Sequence, residues 1–141
     1  MPITAEHVGR RYPAAPPYVV SRAKIAEFAE AVRDDNPAYR GDHPVAPPTF
    51  AAVIAAQAWE ALFGDEELGL ALNRTMHTDQ TFTFRRPLRP GDAVVAELSI
   101  EKVRNRGALD MITVLVDLTV DGDTVCEARS TLMHTREDVD A

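Results

Sequence analysis

Hydrophobic positions change period about half way along the chain: helical spacing in the first half gives way to alternation in the second. Ile25, Phe28, Ala29 and Val32 fall at i, i+3, i+4 and i+7, with Lys24, Glu27, Glu30 and Arg33 on the opposite side. Ser21 reads as the N-cap of this helix. The helix should stop near Asp35-Asn36-Pro37, because proline disfavours helical geometry in the residue before it. Ahead of it, Pro13, Pro16 and Pro17 predict an irregular lead-in to a short strand at Tyr18-Val19-Val20.

A second helix follows the proline-rich turn Pro44-Val45-Ala46-Pro47-Pro48 and covers about Thr49 to Phe63. Only Gln57 and Glu60 are clearly polar from Phe50 to Phe63, so the helix is apolar nearly all round and must be surrounded. Phe50, Val53, Ile54 and Leu62 are therefore expected in the core. Gly64-Asp65 ends it, and Glu66 to Asn73 reads as a connection.

The rest, residues 77–135, is strand-like. Gln80, Phe82 and Phe84 share one face. Val94, Ala96, Leu98 and Ile100 share another, as do Ile112, Val114, Val116, Leu118 and Val120, then Cys126, Ala128, Ser130 and Leu132. Turn signals at Pro90-Gly91-Asp92, Asn105-Arg106-Gly107 and Asp121-Gly122-Asp123 separate these runs and predict an antiparallel meander. The expected fold class is α+β, a single domain over 1–141, with an antiparallel sheet curled around the apolar helix in the hot-dog arrangement. Such a sheet exposes an edge strand, so pairing of two protomers edge to edge is expected.

Composition narrows the function. With 15 Lys+Arg against 22 Asp+Glu the net charge is −7, which argues against nucleic-acid binding. One cysteine, Cys126, excludes an intramolecular disulfide framework and a thiolate-only zinc cage. No metal or cofactor is expected: the glycines form no phosphate loop, and the four histidines have neither metal-ligand spacing nor a cysteine neighbour. Ser21, Ser99 and Ser130 lack a nucleophile-elbow context. The first twelve residues contain no apolar run and no helix reaches the roughly 20 residues of a membrane span, so a cytoplasmic protein that meets no membrane is expected.

Three blocks remain: Asp34-Asp35-Asn36-Pro37-Ala38-Tyr39, Val45-Ala46-Pro47-Pro48-Thr49-Phe50, and Gln80 through Asp92. In this order they resemble the MaoC-like hot-dog dehydratases, of the N-terminal dehydratase type found in actinobacterial fatty-acid and mycolic-acid enzymes. The resemblance runs from about Val8 to Thr135. Catalytic members carry Gly-Asp-x-Asn-Pro-aliphatic-His, whose Asp and His move a proton and activate water on a (3R)-hydroxyacyl or enoyl thioester. On this chain Asp34 matches the Asp, and Asn36 and Pro37 match the Asn-Pro. Arg33 replaces the glycine, and Tyr39 stands at the His position, where a phenol of ordinary pKa near ~10 is a poor base. His43, four residues on, is the nearest imidazole.

Catalytic relatives also open the central helix with His-Gly, whose glycine N–H polarises the thioester carbonyl, a contribution of roughly 3 kcal/mol per donor. Here those positions are Pro47 and Pro48, leaving the N–H of Thr49. The loop from Tyr39 to Val45 is also shorter than is usual in the family.

The resemblance thus implies Asp34 and His43 as the catalytic candidates, and Asn36, Tyr39, Pro48, Thr49, Phe50, His77 and Gln80 as substrate-binding candidates. Trp59, Phe82 and Phe84 read as core, and the acidic tail Glu137-Asp138-Val139-Asp140 as solvated. The expected role is the substrate-binding subunit of a (3R)-hydroxyacyl-thioester dehydratase, with an acyl-CoA or acyl-ACP ligand and catalysis supplied by a hot-dog partner. A self-sufficient homodimer using Asp34 and His43, and a non-enzymatic acyl-thioester binding dimer, are the alternatives.

Overall fold

The computed structural model describes residues 2–137, so residues 138–140 of the acidic tail lie outside it. Two α-helices, α1 (Arg22–Ala31) and α2 (Ala51–Phe63), accompany five strands: β1 (Tyr18–Val19), β2 (Thr75–Phe84), β3 (Ala93–Arg106), β4 (Leu109–Val120) and β5 (Asp123–Thr135). The strands form one antiparallel sheet in the order β1-β3-β4-β5-β2. Its inner face is built from the alternation visible in the sequence. Val94, Ala96, Leu98 and Ile100 of β3 are buried with Ile112 to Val120 of β4 and Cys126, Ala128 and Leu132 of β5.

Helix α2 lies across this face against β3, β4 and β5. Ala51, Ala55 and Ala58 are buried, and their small side chains let the helix axis approach the sheet closely. A short 3₁₀ turn, Pro48–Phe50, leads into it, so the apolar segment begins where expected. The helix is not covered all round, however. Val53, expected in the core, is 39% exposed, and Ala56, Gln57 and Glu60 continue its solvent face at i+3, i+4 and i+7. A single curled sheet contacts only one side of a helix, and among the described residues nothing buries Val53, Ala56, Gln57 or Glu60 on the other.

The meander expectation also needs correction. β3, β4 and β5 are sequential neighbours, but β2 pairs with β5 and forms the sheet's edge. Residues 85–92 are a crossover from that edge to β3, not a hairpin. Leu88 is buried beneath it, and Asp92 holds its far end, accepting from Arg86 Nη1 and Nη2 at 2.8 and 3.1 Å and from the Arg89 N–H at 2.8 Å. Burial alone would raise the Asp92 carboxyl; the hydrogen bonds from Arg86 and Arg89 outweigh it and hold the carboxyl below its ordinary range.

Ser21 caps α1 as expected, accepting the Lys24 N–H at 3.1 Å. The helix ends at Ala31, ahead of the Asp35-Asn36-Pro37 stop, and Val32 is exposed. Arg33 turns the chain out of the helix with φ +57°, which ends it before proline can.

One buried polar cluster ties the far end of the sheet together. Asp110 (1% exposed) and His134 (2%) face each other with Oδ2 and Nδ1 3.3 Å apart. His134 Nε2 accepts the Ala71 N–H at 3.1 Å, and Asn105 Nδ2 donates to Asp110 Oδ1 and to the Ile3 carbonyl at 2.6 and 2.9 Å. These bonds fasten the N-terminal segment and the connection before β2 onto β4 and β5. Cys126 is also buried; burial first, then the nearby Glu127 and Asp117 charges, push its thiol up to about 12, which makes it unreactive. Among the described residues, no helix is long and apolar enough to cross a membrane.

Candidate functional site

The turn after α1 arranges itself through its own polar side chains. Asp34 Oδ1 accepts the Asn36 N–H at 3.1 Å, and Asn36 Oδ1 accepts the Ala38 N–H at 3.0 Å, capping the 3₁₀ turn Pro37–Tyr39. Proline at the first position suits that turn, since its missing N–H would have no partner there. The turn swings Tyr39 inward until it is 9% exposed. Two backbone bonds then close the following loop: Val45 N–H to the Ala38 carbonyl at 2.9 Å, and Ala46 N–H to the Leu88 carbonyl at 2.8 Å.

These segments wall a largely apolar cavity of about 470 Å³. Asn36 and Tyr39 line it from the turn, Ala46 and Pro48 from the approach to α2, and Phe84 and Pro87 from β2 and the crossover. The first two sequence blocks thus meet the distant third here. At the helix entrance Pro47 and Pro48 carry no N–H, and the Phe50 N–H is used on the Pro47 carbonyl at 2.9 Å. Thr49, exposed at the helix start, is the one residue of this approach whose N–H is left for an oxyanion.

Asn36, Tyr39 and Pro48 are brought together on the cavity. Asp34 is not on its wall: it lines a neighbouring cleft of about 320 Å³ with Glu30, Arg33, Asp35 and Arg40. His43 is exposed on the loop beyond Tyr39 and lines neither space. Phe50 is fully buried, edge-on to Tyr18 and Phe28 with ring centroids 5.9 and 5.3 Å away, where it anchors the helix entrance instead of lining the cavity.

His77 and Gln80 lie together inside β2. Gln80 Oε1 accepts the Ser130 hydroxyl at 2.5 Å and sits 3.0 Å from His77 Nε2. Trp59 of α2 meets the His77 ring edge-on at 5.0 Å. Ser130, read from the sequence as an ordinary strand residue, joins this group because Gln80 pairs with Ser130 in the β2–β5 register. That pairing has no short-range signal. Among the described residues, no group of three or more His, Cys, Asp or Glu side chains is placed to hold a metal ion.

Comparison with known proteins gives the family and the fold. The model of the FAS1-like, dehydratase domain region family matches residues 6–128. The chain belongs to this dehydratase family. A UPF0336 protein of Cutibacterium acnes is 53% identical over 100% of both chains, and a UPF0336 protein of Saccharopolyspora erythraea is 38% identical over 94% of this chain and 92% of that one. Among solved structures, the C-terminally truncated HadBC (3R-hydroxyacyl-ACP dehydratase) complex from Mycobacterium tuberculosis superimposes with a TM-score of 0.80 at 31% identity, covering 93% of this chain and 99% of that one. A MaoC-like dehydratase gives a TM-score of 0.83 at 27% identity over 94% of this chain, which spans 43% of that longer protein. The family member described here is therefore a MaoC-like hot-dog protein related to (3R)-hydroxyacyl-ACP dehydratase subunits.

Proposed function

We propose that this dehydratase-family chain is a substrate-binding subunit, which holds the acyl thioester of a (3R)-hydroxyacyl substrate while a hot-dog partner carries out the chemistry. The observation that carries this reading is the pairing of Tyr39 and Pro48 on one cavity. At the two positions where catalytic relatives place a base and an oxyanion donor, this chain presents a buried phenol and a residue without an N–H. The cavity around them remains apolar and open, suited to an alkyl chain. Asp34, in its own cleft, lacks an imidazole neighbour there.

The uncovered surfaces support a partner. Among the described residues the outer edge of β2 is unpaired, Met76 on it is 62% exposed, and α2 turns Val53, Ala56, Gln57 and Glu60 to solvent. A second hot-dog subunit laid along β2 would continue the sheet and cover the helix at once. The related HadBC and ChsH1-ChsH2 structures are complexes of two different subunits.

The test is hydration of crotonyl-CoA and a longer enoyl-CoA by the purified chain, alone and with a catalytic hot-dog subunit. Negligible turnover alone and activity on addition of the partner are expected. Robust turnover by the isolated chain, abolished by Asp34→Asn, would establish the homodimeric enzyme using Asp34 and His43 instead. Acyl-thioester binding without turnover in any assembly would leave a binding protein only.

A further inference from the structure

Several polar atoms on the wall of the Tyr39 cavity are spent within the protein. Asn36 Oδ1 accepts the Ala38 N–H at 3.0 Å, the Val45 N–H reaches the Ala38 carbonyl at 2.9 Å, and the Ala46 N–H reaches the Leu88 carbonyl at 2.8 Å. Arg86 is held by Asp92 and donates to the Pro87 carbonyl at 2.9 Å. Pro48 has no N–H to give.

The Tyr39 hydroxyl differs from these. The residue is 9% exposed, yet among the described residues nothing hydrogen-bonds its hydroxyl, and the oxygen is not sealed inside the protein. Tyr12 shows the contrast, its hydroxyl donating to Asp65 Oδ2 at 2.6 Å. Tyr39 borders both the cavity and a neighbouring cleft of about 300 Å³, so open space reaches the phenol although most of it is packed. The backbone sets this placement. Asn36 and Tyr39 stand three apart at the 3₁₀ turn, where side chains at i and i+3 lie one over the other, and the Tyr39 N–H bond to the Asn36 carbonyl at 3.1 Å holds that turn.

A packed phenol ordinarily finds a partner for its O–H, because a hydroxyl taken from water without one loses free energy. At this wall the partner has to come with a ligand. A largely apolar cavity with one packed O–H fits an alkyl chain that ends in an acceptor oxygen. An acyl thioester has that form: its carbonyl oxygen accepts well and its sulfur only weakly.

We propose that the Tyr39 hydroxyl donates to the carbonyl oxygen of the bound acyl thioester, and so supplies in this cavity a hydrogen bond that Pro48 cannot make. The proposal rests on the acyl-thioester reading above and deepens it by naming the group that is recognised. A phenol is a poor base at neutral pH but a sound donor, so the residue that removes proton abstraction from this position also equips it to bind.

The test compares butyryl-CoA with butyl-CoA, the thioether that keeps the alkyl chain and the carrier but lacks the carbonyl. Both are titrated into the purified chain, and into its complex with a catalytic hot-dog subunit where the chain alone binds neither. Butyryl-CoA should bind about three- to tenfold more tightly, and Tyr39→Phe should erase the difference by weakening butyryl-CoA alone. The infrared carbonyl stretch of butyryl-CoA, isotope-labelled at that carbon, should fall in frequency on binding and return toward the free value in Tyr39→Phe. Equal binding of the two ligands by the unmodified protein, an unmoved carbonyl stretch, a shift that persists in Tyr39→Phe, or equal loss of both ligands in that variant would overturn the proposal while leaving the substrate-binding role intact. The first two outcomes are read on the unmodified protein, so they stand even if the variant misfolds. Absence of binding of both ligands, alone and in the complex, would overturn the substrate-binding role and this proposal together.

Discussion

Arg33 and Asp34 close helix α1 as a pair: the Asp34 N–H reaches the Ala29 carbonyl at 2.9 Å, and the Arg33 N–H reaches the Glu30 carbonyl at 3.0 Å. This is the Schellman arrangement, and it requires the left-handed φ of +57° that Arg33 adopts. Arg33 also stands where the related motif has glycine. The motif's glycine thus has a conformational reason, as the residue that turns the helix out and launches the Asp. A non-glycine residue there is penalised by roughly 1–2 kcal/mol, partly offset by glycine's larger backbone entropy in the unfolded chain. Arg33→Gly should stabilise the protein by about 0.5–1 kcal/mol, read as a higher urea midpoint with unchanged slope. Arg33→Ala, which keeps the Cβ, should give no such gain.

Acid should unfold the molecule partly through Asp65 and Asp92. The Tyr12 hydroxyl, at 2.6 Å from Asp65 Oδ2, is the main cause holding that carboxyl below its ordinary range; burial opposes it, and Arg10 at 2.8 Å adds to the lowering. Asp92 is lowered as described above. A carboxyl depressed in the folded state contributes stability that is fully present above its unfolded pKa near ~4 and is lost as pH falls through the folded value. Asp65→Asn and Asp92→Asn should each lower stability at neutral pH and flatten its decline below about pH 4. Urea midpoints measured across that range check the sign, and parallel declines in variant and parent would contradict it.

His134 should carry its ring proton on Nδ1, because Nε2 accepts the Ala71 N–H and so must present its lone pair. Nitrogen chemical shifts of the ring would show the tautomer directly. His134→Leu leaves the Ala71 N–H without its acceptor and removes the partner of Asp110 Oδ2, while Asn105 and Arg136 still hold Asp110 Oδ1; a lost partner for a buried polar group costs about 1–3 kcal/mol. The Ala71 amide should then exchange faster with solvent than it does in the unmodified protein.

Much of this was legible from local pattern. The inner faces of β3, β4 and β5 follow period two because one side is buried, and Ser21 is both a sequence signal and an observed cap. What escaped was long-range. The pairing of β2 with β5 depends on a crossover whose Pro-Gly-Asp end looks like a hairpin turn, and with that pairing unknown, Ser130 could not be placed beside Gln80. The exposure of Val53 has a different origin: an apolar composition does not say which sides of a helix the sheet of its own chain reaches. For the site, the Tyr39 and Pro48 departures were visible as residue types, whereas the separation of Asp34 from the cavity they share follows from the Arg33 turn and needed coordinates.

Repairing the motif tests whether the lost groups, and not the architecture, account for a non-catalytic role. Tyr39→His alone should yield little hydration activity in the isolated chain, because the helix entrance still lacks the N–H that Pro48 cannot supply. Removing one oxyanion donor typically costs ~10²–10³ in rate, so a restored base would act on an unstabilised transition state. Tyr39→His with Pro47→His and Pro48→Gly should recover more than either part separately. The geometry limits the gain. Residue 39 faces the cavity while Asp34 faces the adjoining cleft; the Asp34 and Asn36 side chains hold the turn between them, and the Val45 N–H bond to the Ala38 carbonyl at 2.9 Å pins the short loop that follows. A new imidazole must therefore turn toward Asp34 before the two can share a proton, so the triple variant should remain well below a catalytic relative. Thermal melts establish that the variants fold. Equal rates for the single and triple variants would show that the helix entrance is not the missing element, and turnover of the unmodified chain equal to the triple variant's would show that Tyr39 or His43 already serves as the base.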